Sequence, residues 1–532
     1  MGNSVQRGLG SVAARSEEPA RGRTERPLLH AVALLQWVLL AALLACAATN
    51  VVRAIRAIPS ASDTTYPESA VIGTAHWAWR SHRIYPSLVR PPYTPAPYGP
   101  LFYLGLAAVG NALHGDNHAI RIALRSLVFA SYLLAGLAVF ALARDAGAAV
   151  WAALAGGVTA LAAPFVLFWN ASARPDFPAL LLTLLGIRTI THSRRPGWRP
   201  GVAAGILCAM GFLSKQSMVA APLAIAGYLA LRRWYRPLGG FVLAAAAAAG
   251  GVVAYLLLRG EPVLRDMLLM RHAPAAVQPA VAMVSDALGG GLGLLVVAGG
   301  AAGMAMALRG KNSRLLLVGM YAALAALVTV LTLPQVGSNV NYLLEPWMGA
   351  SVLMACALGP AAATWRGIGQ PLQLGALMVL IVLVGHGWEA IRRAPGPPAY
   401  RYQRLAGLRI LSTDPTFTVR GKEPELLDPY LADLLENRAG WSAAGVAAEI
   451  KQQRFDVIFL TENGGRISTW HGAPRLSPEL AQQVQRFYRP LCRTARVLVM
   501  TPKGRPDGFS AADASYTLGT RCRAQEIGAA GQ

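Results

Sequence analysis

The chain has 532 residues, 54% of them hydrophobic and only 14% charged, a composition too apolar for a water-soluble multidomain protein and expected of one whose solvent is largely the bilayer. The formal net charge of +23 does not mark a nucleic-acid binder, because Arg and Lys gather in the N-terminal tail, at helix ends and between apolar runs, where lipid headgroups account for them. No cysteine or histidine spacing suits a metal site: Cys46, Cys208 and Cys356 lie in apolar runs, while Cys492 and Cys522 pair only if the C-terminal region faces an oxidising compartment.

In chain order, residues 1–27 form a polar, basic tail, read as cytoplasmic rather than as a cleaved signal, because the apolar run behind it is long enough to span. Runs able to cross ~30 Å of hydrocarbon follow. They cover 28–50, 119–142, 149–168, 177–191, 199–214, 216–231, 238–258, 288–308, 314–334, 340–360 and 371–391, about eleven crossings within a membrane body of 28–391. Leu101 to Leu113 is too short to cross and reads as interfacial or re-entrant. With the N-terminus inside, the cytoplasmic loops carry Arg144, then Arg194, Arg195 and Arg199, then Arg232, Arg233 and Arg236, then Arg309, Lys311 and Arg314, then Arg366. This is the positive-inside pattern. The outer loops 51–98 and 259–287 also carry Arg, which weakens the bias without reversing it. An odd number of crossings places 392–532 on the periplasmic side. There RFDVIFLTE and ARVLVMTP read as buried strands and SPELAQQVQRFY as an amphipathic helix, giving a small α/β domain.

On this topology the unusual polar residues of four separate segments meet the outer face. The first outer loop combines Asp63 and Glu68 with His76, Arg83 and several Trp and Tyr in a proline-punctuated backbone, including Tyr93 and Tyr98 in PYTPAPYGPLFY. A carboxylate in a low-dielectric cleft serves as general base toward a hydroxyl, and aromatic rings stack on sugar faces. Arg174 and Asp176 open an apolar run, and a guanidinium there is shaped to hold phosphate. Lys215 occupies a hairpin of a few residues, placed to neutralise a phosphate leaving group. Asn341 and Glu345, four apart, share a helix face beside Tyr342. Each feature also has a structural explanation: solvated loop carboxylates and an interfacial aromatic belt, a helix cap at Asp176, a snorkelling Lys215, an interhelical hydrogen bond at Asn341 and Glu345.

The acidic first loop followed by PYTPAPYGPLFY, then ARPDFPALLLTLLGI, FLSKQSMVAAPLAI and GSNVNYLLEPW, resembles, in that order and over most of the membrane body, the bacterial integral-membrane glycosyltransferases of the C-type fold, the class of aminoarabinose and protein mannosyl transferases. The resemblance implies a polyprenyl-phosphate sugar donor, a glycan, lipid or protein acceptor whose hydroxyl attacks on the periplasmic face of the inner membrane, and an acidic base in the first loop. By it Glu68 is favoured as base, with Asp63 second. Arg174, Lys215 and Arg83 face donor phosphate, and Tyr93, Tyr98, Asp176, Asn341, Tyr342 and Glu345 line the substrate pocket. The implied reaction is an inverting displacement that needs no nucleotide or redox cofactor; the outer carboxylates could hold a divalent metal, but nothing in the spacing asks for one. The rival reading is a transporter or flippase, against which stand the absence of an internal repeat and the clustering of polar residues at one surface.

Overall fold

The computed structural model describes residues 21–364 and 401–522 apart from short stretches within them, the longest of which is 462–475. The expected crossing at 371–391, most of the N-terminal tail, and Arg194, Arg195, Lys311 and Arg366 lie outside the described residues. The membrane body is helical throughout: α1 (Arg21–Ala57), α2 (Glu68–Ser81), α3 (Pro100–Ala112), α4 (Asn117–Asp145), α5 (Val150–Ala162), α6 (Asp176–His192) and α7 (Trp198–Ser214). It continues with α8 (Ala220–Leu231), α9 (Tyr235–Leu258), α10 (Val263–Met267), α11 (Val277–Leu288), α12 (Gly291–Arg309), α13 (Ser313–Thr332) and α14 (Leu344–Thr364).

Among the described residues five helices are long and apolar enough to cross a membrane: α1 over Leu34–Ala57, α4, α9, α12 and α13. The other expected crossings are filled by helices of 12–21 residues. Proline sets some of these lengths. Pro164, which has no amide hydrogen to continue the ladder, ends α5 and starts a 3-10 turn at Pro164–Phe168, and Pro175 sits at the N-cap of α6. Where helices meet most closely the contact is made by small residues. A Cβ on Gly303 of α12 would stand 2.2 Å from the Leu353 carbonyl oxygen of α14, so only glycine permits that approach.

The membrane core packs Tyr132, Phe177, Leu184, Tyr321, Trp347 and many alanines from α1, α4, α6, α13 and α14. A smaller core under the loop between α1 and α3 holds Ile72, Tyr85, Phe102, Tyr103 and Val263. The loop is therefore more ordered than its proline content suggests, with α2 as a buried-faced helix inside it. Its later part is tied down by hydrogen bonds from the Ile84 and Tyr85 amides to Glu261 and from the Ala96 amide to Asp266.

The C-terminal region forms a four-stranded sheet in the order β1-β2-β4-β3, with β1 (Ile410–Ser412) parallel to β2 (Val457–Thr461) and β4 (Val497–Pro502) antiparallel to both β2 and β3 (Tyr488–Arg493). Period-two alternation sends Val457 and Phe459 into one core with Phe417 and Phe509, and Ile458 into the other with Val446, Ile450 and Val484. Cys492 of β3 is disulfide-bonded to Cys522, with Cα atoms 5.5 Å apart.

Candidate active site

Arg121 and Arg125, one helical turn apart at the start of α4, are almost fully buried and each holds a carboxylate of the first loop. Glu68, the first residue of α2, accepts from Arg125 Nε at 2.8 Å and Nη2 at 2.7 Å, from the Thr64 amide at 2.9 Å, from the Thr64 hydroxyl at 3.2 Å and from the Ala173 amide at 2.7 Å. Its exposure is 0%. Burial pushes this carboxyl up, but the Arg125 guanidinium, with Arg121 and the Ala173 amide, outweighs burial and holds it at about 2. Arg125 in turn donates to the Ala57 and Ser60 carbonyls at the end of α1. Glu68 is thus the hub that ties α1, α2, α4 and the 170–174 segment together. Such a carboxylate is a weak base.

Asp63 is held differently. Its Oδ1 accepts from Arg121 and the Ser69 hydroxyl, and its Oδ2 accepts from the Ser69 amide at 2.8 Å, at the N-terminus of α2. Among the described residues that amide is the one donor to Oδ2, so a lone pair is left over. At 6% exposure Asp63 keeps the opening that Glu68 lacks.

A second cluster sits next to this one. The Thr65 hydroxyl contacts that of Ser172 at 2.6 Å, Ala173 donates to Glu68, and Arg174 follows directly in the chain. The segment is pinned from below, where Asn50 of α1 donates to the Leu161 and Ala163 carbonyls and Asn170 donates back to the Asn50 carbonyl. Arg174 Nε lies 3.1 Å from Asp176 Oδ2, and its Cζ stands 4.7 Å from the Trp169 ring centroid and 5.4 Å from that of Tyr98. Lys215 Nζ and Asn341 Nδ2 both donate to Asp176 Oδ1 at 2.6 Å, and Lys215 also lies over the Tyr342 ring at 4.8 Å. Two cations thus face the Asp176 carboxylate, and the Glu345 carboxyl also lies within electrostatic reach of Lys215. Asn341 lies in a 3-10 turn, Val340–Leu343, rather than on one helix face with Glu345, and its Oδ1 is buried with no hydrogen-bond partner among the described residues; Glu345, also buried, is in the first turn of α14 that follows. The turn carrying Lys215 is pressed against the loop between α1 and α3: a Cβ on Gly99 would stand 2.1 Å from the Leu213 carbonyl oxygen, and Gln216 donates to the Pro97 carbonyl at 2.7 Å.

An apolar groove of about 770 Å³ opens between α11, α12, α13 and α14. Leu343, Pro346 and Trp347 form its inner end, while Val281, Val297 and Val330 on its rim are exposed on the outside of the bundle.

Of the residues singled out in the sequence, Arg174, Asp176, Lys215, Asn341 and Tyr342 meet in one cluster, with Tyr98 beneath Arg174 and Glu345 a turn away; Asp63 and Glu68 form the adjoining one. Two go elsewhere. Arg83 is exposed and donates to the Arg259 carbonyl at the end of α9, away from the cations it was expected to join. Tyr93 points into the C-terminal domain, where its hydroxyl donates to Glu449 at 3.3 Å and its ring packs on Trp441. His76 contacts Asn117 at 3.0 Å and belongs to the α2–α4 packing. Arg121 and Arg125 escaped the sequence reading. Their signal is a pair of arginines at i and i+4 inside an otherwise apolar run, a cost the bilayer permits only for paired, inward-facing groups.

Residues 99–258 match the family model described as dolichyl-phosphate-mannose-protein mannosyltransferase, a stretch that holds Arg174, Asp176 and Lys215. Among solved structures the chain is similar to ArnT from Cupriavidus metallidurans bound to undecaprenyl phosphate, at 13% identity over 90% of this chain and 98% of that one, with a TM-score of 0.53. The apo state of the same protein gives 13% identity, the same coverage and a TM-score of 0.51. No curated protein matches the chain by sequence. The chain has the fold of the C-type membrane glycosyltransferases.

Proposed function

We propose that this chain, which carries the fold of the C-type membrane glycosyltransferases, moves a sugar from a polyprenyl-phosphate donor to an acceptor hydroxyl at the outer face of the membrane. The observation that supports this reading is the junction of the two clusters: the Asp63–Glu68 cluster and the Arg174–Asp176–Lys215 cluster meet at the Ser172–Arg174 segment, through Thr65 on Ser172 and Glu68 on Ala173, and an apolar groove lies against Leu343, Pro346 and Trp347, next in the chain to Asn341 and Glu345. The disulfide between Cys492 and Cys522 favours an oxidising compartment for the C-terminal domain.

Asp63 rather than Glu68 is the base. It removes the acceptor proton as the acceptor oxygen forms its bond to the anomeric carbon and the carbon–oxygen bond to the donor phosphate breaks; the electron pair leaves on the phosphate, and a single displacement inverts the anomeric centre. Arg174 and Lys215 hold the phosphate. The donor is a phosphodiester with one negative charge and the departing lipid phosphate carries close to two, so cations held at that phosphate stabilise the leaving group more than the donor. Asp176 keeps both cations in place, and the free Asn341 Oδ1 and Glu345 meet sugar hydroxyls. Glu68 positions: through Arg125 and Ala173 it sets the backbone between base and phosphate seat.

The test is in cells producing the full-length protein, with wild type, Asp63→Asn and Lys215→Met compared at equal membrane levels for one sugar increment in the masses of envelope glycans, glycolipids and glycoproteins. Loss of the same increment in both variants supports the reading. An unchanged envelope in cells lacking the protein altogether overturns it.

A further inference from the structure

The short helix Pro415–Thr418 at the edge of the C-terminal sheet packs against α2, the helix whose first turn carries Glu68 and Ser69. Its segment is firmly built. The Asp414 amide donates to the Ser412 hydroxyl oxygen at 2.9 Å, Asp414 Oδ1 accepts the Thr416 amide at 2.9 Å, the Thr413 amide donates to the Phe459 carbonyl at 3.0 Å, and Phe417 stacks on Phe459 with ring centroids 4.5 Å apart. The domain is also moored away from the site, by the Tyr93–Glu449 bond, by Trp441 Nε1 donating to the Leu88 carbonyl at 2.8 Å, and by Leu88, Leu269 and Leu435 packed together. What this mooring brings to the reaction centre is a second set of charges. Asp414 lies within electrostatic reach of Asp63 and Arg121, and Arg420 within reach of Arg121, Asp63 and Arg125. Asp414 is partly exposed where Asp63 is almost closed off. Arg174, Lys215 and the groove are built by the helices of the membrane body, whereas Asp414 and Arg420 reach Asp63 from the C-terminal domain, which assigns the acceptor to that domain's face.

We propose, resting on the transferase reading above, that the C-terminal domain completes the acceptor half of the active site and that Asp414 accepts a hydrogen bond from the acceptor, holding its attacking hydroxyl against Asp63. The proton of that hydroxyl goes to Asp63; Asp414 takes a bond from a second donor on the acceptor, a neighbouring hydroxyl or an amide. Burial, with the nearby Asp63 charge, pushes the Asp414 carboxyl up to about 6, so it is ionised and a strong hydrogen-bond acceptor above that pH.

The experiment uses the full-length protein, in membranes for transfer and purified for binding of undecaprenyl phosphate as probe. Asp414→Asn is expected to lower transfer at least tenfold with probe binding within twofold of wild type, and Asp414→Glu to recover part of the loss. Wild-type transfer in Asp414→Asn beside an inactive Asp63→Asn overturns the proposal and leaves the transferase reading standing. Wild-type transfer in Asp63→Asn as well overturns the reading on which it rests. Joint loss of transfer and probe binding makes Asp414 merely structural and also overturns it. Should Asp414→Asn fail to accumulate, Arg420→Gln tests the same face, and wild-type transfer in that variant has the same overturning force.

Discussion

Replacing Glu68 by Gln separates a base from a hub. The amide would turn one of the two acceptor oxygens, which now receive Thr64, Ala173 and Arg125, into a donor facing a donor, and would leave the buried Arg125 without its counter-charge. Removing one partner of a buried pair costs about 3–5 kcal/mol, enough to consume much of a typical folding free energy of ~5–15 kcal/mol. Glu68→Gln is therefore expected to lower the midpoint of thermal unfolding of the purified protein and its membrane yield, with transfer falling in proportion to folded protein. The pairwise replacement Glu68→Leu with Arg125→Met, which removes both charges, should recover stability better than either change alone. A Glu68→Gln protein that melts as wild type does and has lost all transfer would refute this and return the role of base to Glu68.

Asp63→Asn should also lower the unfolding midpoint, because it takes the counter-charge from the buried Arg121, but it should reduce transfer by about 10²–10⁴ beyond the loss of folded protein, the usual worth of a general base, measured as initial rate at equal folded protein. Arg174→Met or Lys215→Met should weaken binding of undecaprenyl phosphate by about tenfold or more, as loss of one charged hydrogen bond worth ~1.5–3 kcal/mol implies; equal affinity in both variants would place the phosphate elsewhere. Reduction of the Cys492–Cys522 bond, or Cys492→Ser, should lower resistance of the C-terminal domain to proteolysis, the bond being worth about 2–4 kcal/mol. Because the Asp414 carboxyl is raised in the folded state, the folded chain holds its proton more tightly than the unfolded one between about 4 and 6, so stability falls as pH rises through that window and is level above it. Wild type should lose that increment between pH 4 and 7 in thermal melts, and Asp414→Asn should not.

The convergence of four segments was legible because each placed its polar residues near a helix end, and helix ends are what apolar run lengths and loop charge report. Which carboxylate does what was not. Glu68 and Asp63 differ by their partners, Arg125 against Arg121 and Ser69, and those arginines sit in what reads as one more apolar crossing. Arg83 and Tyr93 were drawn toward the site by sharing its loop, yet the Glu261 and Asp266 tethers turn that loop toward α9 and the C-terminal domain. Asp414 and Arg420 lie more than 300 positions from Asp63. No local pattern reports packing at that separation, although the strands that position them are plain in the alternation around Val457 and Val497.

The groove between α11, α12, α13 and α14 has an apolar rim, Val281, Val297 and Val330, exposed on the outside of the bundle, and the transferase reading has the donor enter there from the lipid. A substrate that enters sideways from the membrane is counted per lipid rather than per litre. The Michaelis constant for the donor then has the dimensions of a mole fraction, and adding detergent or inert phospholipid at fixed donor and enzyme slows the reaction by thinning a two-dimensional solution, whereas diluting the whole sample in buffer leaves the rate per enzyme unchanged.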